Sequence, residues 1–232
     1  MGSMSLQPTS CHLQPPSAGR AALEMLYSPR EAAAPAARAS LWLPLSILAL
    51  AGAAAAYPML LQLGPAGLVD AKLRTTPEGF TRSAILLFLA LQFGAPFLLM
   101  LAAWTAGALM NAYLLFVLDA RAQKSGVVRV TAYGLLPVAI AKFFASGLRL
   151  VSGPHANRFN PLASNLAFFF NSNETSVFWY EFAQGLDLFS AWAIAITVIG
   201  LSALTRQRAL TLLPPLLLAW LAALAARAWL LS

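Results

Sequence analysis

The stretch Leu186-Asp187-Leu188-Phe189-Ser190-Ala191-Trp192 opens a run of 18 residues with no charge until Arg206. A hydrocarbon core of about 30 Å asks for roughly 20 apolar residues of helix, so this run is just long enough. Asp187 stands immediately before it, where a carboxylate meets the positive end of the helix dipole. Trp192 follows one turn inside, at the depth where aromatic side chains gather in membrane proteins. The stretch predicts a membrane helix over 187–205.

The rest of the chain repeats that pattern. Residues 39–69, 83–118 and 209–226 also lack Asp, Glu, Lys and Arg. Apolar residues make up 59% of the chain and charged ones 10%, against about 25% charged in soluble domains. The predicted fold class is all-α: a polytopic helical membrane protein. No run alternates apolar with polar residues as a barrel strand would. The net charge of +7 comes from 15 basic and 8 acidic side chains, the basic ones spread singly between the apolar runs. That distribution sets membrane topology and argues against a nucleic-acid partner. Cys11, His12 and His155 are the only cysteine and histidines. They are too few to predict a metal site, and no cofactor is expected.

Five transmembrane helices are expected, at about 41–63, 92–117, 127–150, 187–205 and 209–231. Residues 41–232 then form one membrane domain, and residues 1–40 a cytoplasmic arm. The Ser-, Pro- and Gln-rich start of the arm reads as disordered. Ala22, Leu23, Leu26 and Tyr27 can share the apolar face of a short amphipathic helix on the membrane surface. Ser28-Pro29 reads as a cap followed by proline at the first helical position. The 36 residues of 83–118 would reach about 54 Å as one helix. A kink at Gly94-Ala95-Pro96 is therefore expected, with an interfacial or tilted first part. Pro214-Pro215 falls near the start of the fifth helix, where missing amide donors cost least. The aromatics of 168–182 predict short interfacial helices. Compact basic loops at 119–129 and 206–208 place the N-terminus inside and the C-terminus outside, with the chain in the cytoplasmic membrane.

Ala132-Tyr133-Gly134-Leu135-Leu136-Pro137 resembles the "GY.L.P" signature in the third membrane helix of the Yip (Ypt-interacting protein) family. Leu186-Asp187-Leu188-Phe189 with Trp192, followed by Gly200-Leu201, resembles that family's fourth helix, in its prokaryotic branch. Leu26-Tyr27-Ser28-Pro29-Arg30-Glu31-Ala32 is similar to the segment that precedes the family's first helix. The resemblance implies a non-enzymatic membrane scaffold. Its partners would be membrane lipids and other membrane proteins, or further copies of the chain. Eukaryotic members are linked to Rab-type GTPases through an acidic segment with a "DLYGP"-like motif. Here Leu26-Tyr27-Ser28-Pro29 has neither the acid nor the glycine, which argues against GTPase binding. The residues carried by the resemblance are Tyr133, Gly134, Pro137, Asp187, Phe189, Trp192 and Gly200.

Lys142 is added by the chain itself, as the one charge well inside a predicted helix. Helix rise puts it some 12–15 Å deeper than Asp187, so a direct pair needs a tilted helix; otherwise the lysine snorkels outward. Catalytic arrangements are not expected: His155 near Ser152 lacks an orienting acid, and no phosphate-binding loop is present. Asn173-Glu174-Thr175 is a glycosylation triplet on the predicted outer side. The rival reading is a transporter or lipid-handling protein, suggested by the expected helix break, Gln92, Asn111 and Lys142.

Overall fold

The computed structural model describes residues 17–55, 82–119, 123–152, 164–170 and 175–231. Cys11, His12, residues 56–63 of the first expected crossing, the following connection to 81, His155, and Asn173 and Glu174 of the glycosylation triplet lie outside them. The described residues are helical, save for turns and one bridge between Asn165 and Asp187.

Helices α1 (Ala18–Tyr27) and α2 (Pro29–Arg38) form a short hairpin. Ser17 caps α1 by accepting from the Arg20 amide, and Pro29 occupies the first position of α2 as the sequence predicts. Of the apolar face expected for α1, Ala22 and Leu26 pack on the core and Leu23 and Tyr27 face outward. Ala21, Ala22 and Met25 are buried, while Leu23 and Tyr27 stand 64% and 74% exposed. The reason is packing distance. The small faces of α1 and α2, the latter through Ala32, Ala33, Ala36 and Ala37, let the hairpin lie tightly on its neighbours, which Leu23 and Tyr27 would prevent. The arm thus shares one core with the membrane helices: Met25 packs in the same cluster as Val130, Tyr133 and Leu201.

The chain then turns by 106° into α3 (Trp42–Ala55). Helix α4 (Arg82–Phe116) runs for 35 residues, so Gly94–Pro96 does not end the helix. Helices α5 (Lys124–Gly134) and α6 (Leu136–Ser152) form one crossing with a single-residue break at Leu135. Pro137 explains that break: as the second residue of α6 it has no amide to offer the carbonyl of Tyr133. A 3₁₀ turn (Leu166–Phe169) and α7 (Val177–Gly185) supply the expected short aromatic helices. On α7, Phe178, Trp179 and Phe182 pack edge-to-face and stacked, with ring centroids 5.1–6.2 Å apart.

Helices α8 (Leu188–Thr205) and α9 (Ala209–Leu231) keep the predicted bounds, with Asp187 as the cap of α8. Among the described residues three helices are long and apolar enough to cross a membrane, at 124–151, 188–205 and 209–229. The bent pair α2–α3 makes a fourth if taken as one span. Among the described residues the count of five crossings is not confirmed on this criterion, which takes in α4 only over Met100–Phe116. A second core layer joins Leu45, Leu48 and Ala51 of α3 to Ala103, Ala132 and Ala139.

Candidate functional site

The resemblance residues converge on α5 and α8, and most of them pack. Tyr133 is fully buried, and its hydroxyl donates to the Ser40 carbonyl at 2.9 Å. One turn earlier on α5, Arg129 Nη1 donates to the Ala37 carbonyl at 3.0 Å. The end of a helix leaves its last carbonyls without amide partners, and an apolar surrounding makes that costly. Arg129 and Tyr133 serve carbonyls at the end of α2 and in the bend, and so hold the 106° turn in place.

Gly134 is where α5 meets α8. A Cβ atom built there would lie 3.0 Å from Thr197 Cα and collide with Thr197 Oγ1. On the next face of α8, a Cβ on Gly200 would lie 2.6 Å from Met25 Cε and 3.0 Å from Val130 Cγ1. Gly134 is thus required by close approach to the α8 backbone, while at Gly200 the flexible end of Met25 fills the space. Phe189 and Trp192 pack together with ring centroids 6.4 Å apart. Thr197 and Thr131, both buried, turn their hydroxyls back on their own helices, to Ala193 and Val127.

A second group gathers at the opposite end of the bundle. Asp187 Oδ1 accepts from the Ser190 amide at 2.8 Å and Oδ2 from the Ser190 hydroxyl at 2.6 Å, a complete helix cap. The Gly134–Thr197 contact sets the register of α5–α6 against antiparallel α8. Counted at ideal helix rise, eight residues on along α6 and eight back along α8 bring Lys142 toward the level of Phe189.

Even so, Lys142 and Asp187 form no ion pair, and Lys142 makes no hydrogen bond among the described residues. Arg227 Nη2 pairs with Glu181 Oε2 at 3.0 Å, joining α9 to α7. Arg149 Nη1 donates to the Ala55 carbonyl of α3 at 2.8 Å.

Sequence reading did not single out Arg129, Met25, Thr197 or Glu181 as members of either group, whereas it set Arg149, Asp187 and Arg227 at the outer ends of their helices. The i, i+4 spacing of Arg129 and Tyr133 was the one local signal available. No group of three or more His, Cys, Asp or Glu side chains converges among the described residues. Set against known protein families, characterised proteins and solved structures, the chain matches none.

Proposed function

We propose that the chain is a five-pass, non-enzymatic scaffold or interaction protein of the cytoplasmic membrane, built on a Yip-like plan. In this reading α2–α3, α4, α5–α6, α8 and α9 are the five crossings, with the arm inside and the C-terminus outside. One observation carries the reading: the arm is locked to the membrane helices by the very residues that resemble the Yip motifs. Tyr133 holds the bend after α2, and Gly200 receives Met25 of α1. Such a lock turns Leu23 and Tyr27 outward at a fixed place beside the membrane, as a presenting surface for another membrane protein would require.

Affinity capture of the full chain in mild detergent, with mass spectrometry of co-purifying proteins, tests this. The expected result is a defined protein set that is lost in a Leu23→Ser, Tyr27→Ser double variant of unchanged melting temperature. An identical protein set from wild type and variant refutes presentation by this surface.

A second reading, lipid or small-molecule handling, is favoured by the group of charges around Lys142 at the other end of the bundle. Movement of labelled lipid or solute in reconstituted vesicles would support it.

A further inference from the structure

Three helix ends meet on the side of the bundle where the arm joins it. A Cβ atom built on Gly126, near the start of α5, would lie 3.3 Å from Ala37 Cβ at the end of α2. It would lie 3.7 Å from Leu204 Cδ2 at the end of α8. Arg129 fastens the same junction by donating to the Ala37 carbonyl. The short link from α8 to α9 is drawn back onto α8, since the Ser202 hydroxyl donates to the Gln207 carbonyl at 2.6 Å.

Each of these ends carries a cation. Arg38 follows Ala37 directly, Lys124 stands two residues before Gly126, Arg206 two residues after Leu204, and Arg208 just before α9. All four are exposed, and among the described residues none of their side chains forms an ion pair or a hydrogen bond. The acids of the arm are engaged elsewhere: Glu24 pairs with Arg20, and Glu31 accepts from the Ser28 hydroxyl. Asp119, five residues before Lys124, is the one further acid that the described chain brings near in sequence. Four cations against that carboxylate leave a surplus of three.

Position identifies the counter-charge. The 18 residues of α8 rise about 27 Å, close to the hydrocarbon thickness, so Arg206 stands just past one edge of the apolar layer. Arg38 and Lys124 are attached within two residues of the same junction and share that level. Cations held beside a membrane surface attract its anionic lipids. Being exposed, these four suit headgroups that the bilayer itself holds in place, since a small anion taken from bulk water needs a more enclosed set of donors.

We propose that Arg38, Lys124, Arg206 and Arg208 form one binding site for the headgroups of anionic phospholipids. The site rests on the membrane placement in the scaffold reading and on no partner protein.

The test is thermal unfolding of the purified full chain in maltoside micelles, titrated with dioleoylphosphatidylglycerol or, for comparison, dioleoylphosphatidylcholine. Wild type is expected to gain roughly 5 °C at saturation with the anionic lipid and clearly less with the zwitterionic one. In an Arg38→Gln, Lys124→Gln variant the anionic lipid needed for half the gain should rise roughly 20-fold, each cation contributing about fivefold. An Arg38→Lys, Lys124→Arg variant should titrate as wild type. If the neutral double variant fails to fold, Lys124→Gln alone should show the single step. Equal gains from the two lipids, or an unchanged titration in the neutral variants, overturns the site. A gain matched by sodium phosphate, against sodium chloride of equal ionic strength, overturns it in favour of a free anion. Co-purifying proteins do not enter this readout, so the site and the scaffold reading fail separately.

Discussion

Tyr133 illustrates how much one buried hydroxyl does in an apolar surrounding. Its bond to the Ser40 carbonyl satisfies a backbone group that has no helical partner at the bend. Tyr133→Phe keeps the ring and strands that carbonyl, which should cost about 1–3 kcal/mol. The expected outcome is a melting temperature lower by several degrees in one fixed detergent; an unchanged value would mean that the carbonyl finds another donor. Gly134 acts through absence. Because Thr197 Cα lies 3.0 Å from where its Cβ would be, Gly134→Leu must push α5 and α8 apart. Fluorescence-detected gel filtration should show a clear loss of folded, detergent-extractable protein. A variant of normal yield and stability that no longer captures its partners would make position 134 a recognition site instead. The family-like spacing of Tyr133, Gly134 and Pro137 was legible from the chain alone. Their partners Ser40 and Thr197 were not, because each lies tens of residues away in sequence.

At the scale of elements, α9 is the most informative. Pro214 and Pro215 lie inside the helix, where each removes an amide donor. Pro215 leaves the Thr211 carbonyl without its helical bond, and the Tyr113 hydroxyl of α4 donates to that carbonyl at 3.0 Å. The proline pair therefore ties two helices together at a point where one alone would be weakened. Tyr113→Phe should lower stability by about 1 kcal/mol in wild type. In a Pro215→Ala background the restored amide takes the carbonyl, and the same change should approach zero. Equal losses in the two backgrounds, measured as shifts in melting temperature, would uncouple the hydroxyl from the proline. The arm hairpin teaches the complementary lesson. Leu23 and Tyr27 are the more apolar choice for a buried face, yet Ala21, Ala22 and Met25 are taken inside, since only small or supple side chains fit beside Gly200 and Val130.

For the whole molecule, the proposed crossings put the arm and the start of α5 on one side and the C-terminus on the other. A reporter inserted after Lys124 should then score as cytoplasmic and one fused after Ser232 as non-cytoplasmic. Both scoring on one side would remove one crossing from the proposal. Exposed Trp104, Leu210, Leu218 and Trp229 line the outside of α4 and α9, as lipid-facing surfaces require.

The amino-acid sequence by itself determined the class of the protein and the bounds of α8 and α9, with Asp187 as the α8 cap. Those features are local: the length of an uncharged run is dictated by hydrocarbon thickness, and a cap by the residue next to it. The tertiary structure alone decided that Ala21 and Met25 enter the core while Leu23 and Tyr27 face outward, and that α4 runs on past Gly94–Pro96. Each of these depends on where helices cross. Crossing points are set by close contacts such as Gly134 with Thr197 and Gly200 with Met25, between residues that no local pattern pairs.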